Sequence, residues 1–257
     1  MVTSLLLRGL LAGLVAGLLA FGFARIFGEP QVDRAIAFEQ AIEHARHEAP
    51  APELVSRDTQ AGIGLFTGIV VYGVALGGLF SLAFAAAYGR VAALSPRATA
   101  ALLALLGFLA VVLVPALKYP PNPPAIGDPG TIRSRTALYF VMVALSLATA
   151  VLSLGLARRL GERFGRWNGA VLGILGFVLV IAVAESLLPD VSEVPEQFSA
   201  VVLWRFRVAS LGLQGVFWAA LGIIFGIAAE NSPRMGGSGR QESRDSAAPG
   251  TPQIPHR

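Results

Sequence analysis

Metal-binding side chains recur at helical spacing near the middle of the first fifty residues. Glu39, Glu43 and His47 follow one another at four-residue steps, and His44 and Glu48 form a second row beside them. Residues four apart lie on one face of a helix, so these imidazole and carboxylate groups would be neighbours. Such a ligand set suits borderline divalent ions such as cobalt, nickel or zinc. We therefore predict metal contact at these residues.

The same segment also fits a plain surface helix. An apolar stripe at three- and four-residue steps predicts an amphipathic helix over 31–48, lying along a membrane or on a helix bundle. The stripe consists of Val32, Ala35, Phe38, Ile42 and Ala45. Two histidines without a third fixed ligand are a weak metal signature. Metal binding and a solvated helix face therefore both stay open from the residues alone.

The composition excludes an ordinary water-soluble domain. Of the 257 residues, 54% are hydrophobic and 14% are charged, and the mean hydropathy is +0.66, whereas a soluble domain carries about 25% charged residues. The absence of cysteine excludes disulfides and thiolate metal sites. The net charge of +4 comes from basic residues spread along the chain without clustered stacking aromatics, which argues against nucleic-acid binding.

Six apolar stretches are long enough to cross a bilayer, which takes about 20 residues of helix. Strands that are not closed into a barrel cannot satisfy their backbone in lipid. We predict an all-α, polytopic membrane helix bundle over residues 1–230, with spans at 5–24, 64–88, 98–117, 137–157, 169–188 and 208–229. The first stretch also resembles a signal peptide, and its removal would leave five spans. The polar tail, 231–257, is predicted to be disordered and cytoplasmic.

The distribution of charge predicts an orientation. The two shortest connections between spans carry the arginines Arg90, Arg97, Arg158 and Arg159, so the positive-inside rule places both connections, and with them both termini, in the cytoplasm. The longer loops at 25–61, 118–136 and 189–207 would then lie outside. Eleven of the sixteen acidic residues fall in these loops, so we expect the outer face to attract cations.

Small residues predict close helix packing within the bundle. Gly9, Gly13 and Gly17 recur every four residues on one face of the first span, where another helix could approach closely. The middle of the spans carries no Asp, Glu, His or Lys, the residues that ion-coupled pumps place there. A cation crossing the bundle would have to be passed on by carbonyls and neutral side chains such as Tyr72 and Gln214.

Several stretches in order resemble the CbtA family of probable cobalt transporter subunits. They lie at 23–39, at 54–57, in the proline-rich loop at 118–129, and at 203–207, which reads Leu-Trp-Arg-Phe-Arg. The resemblance implies a multi-pass subunit of the inner membrane that takes up cobalt for cobalamin synthesis. It also implies a small histidine-bearing partner subunit, CbtB. Family members often have five spans and a histidine-rich first outer loop, where this chain has only His44 and His47.

Two functions of different classes follow. The preferred hypothesis is a subunit that passes a divalent ion inward, with cobalt as the substrate. We expect no bound cofactor, and formation of a homo-oligomer is left open. The alternative is a non-conducting scaffold that stabilises a partner transporter subunit. The chain lacks a Walker-type glycine loop, and so does not hydrolyse ATP. We do not expect an enzyme, because no nucleophile is paired with a base.

Overall fold

The computed structural model describes residues 2–47, 55–90, 94–124 and 126–231. Over these residues the chain is helical and has no strand, and six helices are long and apolar enough to cross a membrane. The predicted all-α architecture with six candidate spans is confirmed. Glu48 and the tail from 232 onward lie outside the described residues.

The helices follow one another in the order of the predicted spans. Two short π-helical segments lie within the first two spans, Ala24–Gly28 and Gln60–Gly64, and a third, Phe108–Leu113, lies within the next. The α-helices are α1 (Val2–Phe23), α2 (Glu29–Arg46), α3 (Arg57–Thr59), α4 (Leu65–Ala87), α5 (Pro96–Gly107), α6 (Val114–Lys118), α7 (Ile132–Phe164), α8 (Arg166–Leu187) and α9 (Ala200–Glu230).

The segment after the first span, which the sequence predicts to be an outer loop, does not begin as a loop. The π-helical turn Ala24–Gly28 joins α1 directly to α2, so helix runs on from the first span through Ala45. Pro30 lies in the first turn of α2, where a missing N–H is tolerated and the wider π turn accommodates the ring. The 31–48 segment thus contains a helix, but one that extends the first span.

Glycines bring α1 and α4 into backbone contact. A Cβ added to Gly13 would lie 2.1 Å from the Gly73 carbonyl oxygen, and one added to Gly77 would lie 2.2 Å from the Gly9 carbonyl oxygen. No real side-chain atom fits at such distances, so the two helices touch through their main chains. The close approach predicted from the glycine spacing is therefore present.

A cluster of aromatic side chains forms the core between α4, α5 and α9. Phe84 contacts Phe225 edge to face with ring centroids 5.0 Å apart, and Phe80 contacts the same ring at 5.3 Å. One turn earlier on α9, Gly222 lies against Ala104, since a Cβ added to Gly222 would come within 2.6 Å of the Ala104 methyl group. The helices α1, α4, α5 and α9 therefore form one closely packed group.

The remaining two spans form a helical hairpin at the side of this group. Gly165, with φ of 89°, makes the turn between α7 and α8, and Gly169 lies against the backbone of Gly161. The rest of α8 is largely open, with Ile174 and Leu179 exposed to 64% and 66%. Exposed apolar side chains on a span are expected where lipid is the solvent.

Candidate functional site

The structure brings only part of the predicted metal-binding group onto one helix face. Glu39 and Glu43 are half-buried on α2 and His44 is exposed. The helix ends at Arg46, and His47 adopts a left-handed conformation with φ of 56°. His47 therefore does not continue the row formed by Glu39 and Glu43.

Among the described residues, no group of three or more His, Asp or Glu side chains is placed to hold a metal ion. A site that includes Glu48 would extend beyond the described part of the chain. Metal contact at Glu39, Glu43, His44, His47 and Glu48 stays a prediction.

Four acidic residues of the predicted outer loops, two of them on α2, form ion pairs in the described structure. Arg57 forms ion pairs with Glu29 and with Asp33, the latter at 3.0 Å, and so ties the start of α2 to the residues before α4. Asp190 pairs with Lys118, and Glu193 lies 3.3 Å from Arg135. Paired carboxylates attract a passing cation less than free ones. The acidic residues of the predicted outer loops therefore attract cations less strongly than their number suggests.

A cavity of about 930 Å³ opens between α6, α7, α9 and the loops that join them. We call it the vestibule. Its rim is formed by the proline-rich loop and by residues 190–194, and its walls include residues 132–139 of α7 and 207–214 of α9. Ile126 and Val194 line it and also belong to the small apolar cluster in which Phe38 of α2 contacts Phe198, with ring centroids 4.7 Å apart. The apolar side of α2 thus supports the loops around the vestibule.

The proline-rich loop fixes the shape of this rim. Pro123 is fully buried, and prolines on both sides of Asn122 restrict the backbone to extended conformations. The Tyr119 hydroxyl donates a hydrogen bond of 2.9 Å to the Pro189 carbonyl and so joins the two rim loops. Removal from water raises the pKa of Tyr119 above its usual value.

The deep end of the vestibule is neutral and polar. Gln214 lies within hydrogen-bonding reach of Tyr72, and its amide oxygen is buried with no hydrogen-bond partner in the described residues. The Tyr139 hydroxyl donates a 3.2 Å hydrogen bond to the Val111 carbonyl, within the π-helical segment Phe108–Leu113. Amide, phenol and carbonyl oxygens at this depth can replace part of the hydration shell of a cation.

Aromatic rings close the bundle one turn deeper along α9. Phe217 and Trp218 are buried, and the Trp218 ring fills the space above Gly107, where an added Cβ would lie 2.3 Å from a ring carbon. Along α9 the lining of the vestibule ends at Gln214, so an ion that moved further along this helix would have to pass these rings.

Three basic residues line the vestibule, and two of them are paired. Lys118 forms an ion pair with Asp190, and Arg135 forms one with Glu193. The Thr131 hydroxyl, 2.6 Å from Glu193, lowers the pKa of that carboxyl and keeps it ionised. Arg207 donates a 2.9 Å hydrogen bond to the Asn122 side-chain oxygen, but no acidic partner is found for it in the described ranges.

Sequence reasoning did not find the vestibule. In the motif at 203–207, Trp204 and Arg205 are exposed, but Arg207 lines the cavity. No pattern in the sequence linked Lys118 or Arg207 to a cavity. A usable signal was the pair of proline-rich and acidic loops, which meet at one end of the bundle.

The sequence profile of the CbtA family, described as probable cobalt transporter subunit, matches residues 2–230. No curated protein and no solved structure gives a significant match. The match covers every described helix and leaves out only the tail, so the resemblance predicted from the ordered stretches is confirmed. The chain belongs to the CbtA family of probable cobalt transporter subunits.

Proposed function

We propose that the chain is the membrane subunit of a cobalt uptake system that supplies cobalamin synthesis. It lies in the cytoplasmic membrane with both termini inside, and it works with a small histidine-bearing partner subunit of the CbtB type. The observation that carries the proposal is the vestibule, which opens on the face that the arginine-rich connections assign to the outside. The described bundle then corresponds to a state open only toward the outside.

The neutral deep end of the vestibule suits a cation that exchanges water for protein oxygens. Gln214 and Tyr139, which line the cavity, offer such oxygens without the tight binding that a carboxylate cluster would give. Inward movement is favoured by the membrane potential, by about 2.3 kcal/mol per charge for each 100 mV. Opening of the rings at Phe217 and Trp218 would be the step that the partner subunit assists.

The outer helix α2 serves in this proposal as a first contact for the metal. His44, His47 and Glu48 would supply imidazole and carboxylate ligands, with Glu39 and Glu43 beside them. The site would be weak, because few ligands are fixed together. A weak outer site raises the local metal concentration without retaining the ion.

Uptake of labelled cobalt at nanomolar supply tests the function. Cells that contain the protein should accumulate cobalt faster than cells without it, and Gln214→Leu should reduce the rate because it removes the polar group at the deep end. Gln197→Leu, at an exposed loop residue, is the matched control and should transport like the parent. Equal uptake with and without the protein would disprove the proposal.

A scaffold role is supported by one observation, the aromatic closure beneath the vestibule. In that case the chain holds a conducting partner in place and passes nothing itself. Liposomes that contain the purified chain alone separate the two, since a permease subunit admits cobalt when a potential is applied, whereas a scaffold admits none without its partner.

A further inference from the structure

We propose that the vestibule holds an oxyanion-binding site at Arg207, for a carboxylate or phosphate group. This inference concerns binding alone and stands whether or not the chain conducts metal. It starts from the difference between Arg207 and the other two basic residues of the cavity, which already have carboxylate partners.

The Arg207 side chain is partly buried and incompletely satisfied. Its Nε atom is enclosed and has no hydrogen-bond partner in the described structure, and one terminal nitrogen donates to Asn122. A guanidinium carries five N–H donors in a planar fork. Removing such a charge from water without a counter-charge is unfavourable, so an anion that enters the cavity would be stabilised there.

Asn122 fixes the direction of the guanidinium. The asparagine lies between prolines in the rigid rim loop, and its side-chain oxygen accepts the 2.9 Å hydrogen bond from Arg207. A fork held in one orientation loses less entropy on binding a planar or tetrahedral oxyanion. Two neutral side chains that can donate hydrogen bonds, Ser210 and Thr136, also line the cavity.

The charges around Arg207, at the rim, favour an anion, whereas the part of the vestibule at Gln214, two helical turns further along α9, is neutral. Lys118, Arg135 and Arg207 line the cavity, against Asp190 in the lining and Glu193 beside Arg135. Bidentate recognition of carboxylate and phosphate is the characteristic use of arginine. The oxyanion could come from a solute, such as a carboxylate chelator or inorganic phosphate, or from the headgroup of an anionic lipid.

Binding to the full chain in nanodiscs tests the site. In phosphatidylcholine nanodiscs, labelled citrate and labelled inorganic phosphate are titrated against the parent, Arg207→Gln and Arg207→Lys. In a second arm, the chain is purified from membranes that contain phosphatidylglycerol, and the retained lipid is measured by mass spectrometry. Arg205→Gln, at an exposed arginine on the same helix, is the matched control.

Saturable binding of citrate or phosphate that Arg207→Gln weakens about tenfold or more supports a solute site. Retention of phosphatidylglycerol that Arg207→Gln abolishes supports a lipid headgroup site. Arg207→Lys should bind more weakly than the parent in whichever arm responds, because it keeps the charge and loses the fork. If the parent binds neither, or if Arg207→Gln matches the parent in both arms, the inference is overturned.

Discussion

Gly13 of α1 and Gly73 of α4 touch through their backbones, because a Cβ on Gly13 would lie 2.1 Å from the Gly73 carbonyl oxygen. Similar contacts join Gly9 and Gly77. Between helices in lipid there is little hydrophobic driving force, so association depends on such close van der Waals contact. The α1–α4 contact is therefore sensitive to the addition of a single methyl group.

Gly13→Ala should destabilise the protein by about 1–3 kcal/mol, the usual cost of inserting a methyl group into a filled interface. The melting temperature in detergent, followed by intrinsic fluorescence, measures the effect. Gly22→Ala on the same helix is the control, since a Cβ there meets nothing within 4 Å. It should be neutral or slightly stabilising, because alanine favours helix by about 1 kcal/mol over glycine. Equal loss in both variants would contradict the close contact.

Acid should loosen the rim of the vestibule through Glu193. The hydrogen bond from Thr131 and the charge of Arg135 lower the pKa of this carboxyl below its ordinary value of 4.5. The ionised form therefore stabilises the fold at pH above 4.5, and that contribution is lost as the pH falls through the lowered value.

Melting temperatures recorded from pH 7 to pH 3 check this dependence. The parent should lose more stability below pH 4.5 than Glu193→Gln, which lacks the titrating group and should already be less stable at pH 7. Glu196→Gln, at an exposed neighbour, should follow the parent. Parallel curves for the parent and Glu193→Gln would show that this carboxylate does not hold the rim.

The outer helix should matter for cobalt uptake only when the metal is scarce. Replacing both His44 and His47 by alanine should raise the cobalt concentration for half-maximal uptake several-fold and leave the maximal rate unchanged, since a collecting site affects capture alone. His256→Ala, in the tail, is the control. Competition by nickel, zinc and magnesium in the same assay reports metal preference. A double variant that matches the parent at nanomolar supply would remove the metal role of α2.

The proposed orientation of the chain in the membrane can be measured by labelling single introduced cysteines, because the natural chain has no cysteine. Ala41→Cys, at an exposed residue of α2, should react with an impermeant maleimide in intact spheroplasts. Ser246→Cys, in the tail, should react only after the membrane is opened, as the positive-inside rule requires. The reverse pattern would place the vestibule on the cytoplasmic side and contradict uptake from outside.

The sequence by itself determined the six apolar spans, the all-helical class and the family. These features depend on local composition and spacing, because each span must satisfy its own backbone in lipid wherever its neighbours lie. The four-residue spacing of glycines around Gly13 likewise predicted a close helix contact, although it did not identify the partner helix. Local signals also predicted a helix in the first outer segment, though its continuity with α1 depends on the π-helical turn at Ala24–Gly28.

The vestibule was decided by tertiary structure alone. Lys118 and Asp190 are 72 residues apart, and Arg207 and Asn122 are 85 apart, yet each pair is in contact. No periodicity in the sequence couples such distant positions. The same short motif places Arg205 outward and Arg207 inward, and only the packing of α9 against the rigid proline loop gives the second arginine its different surroundings.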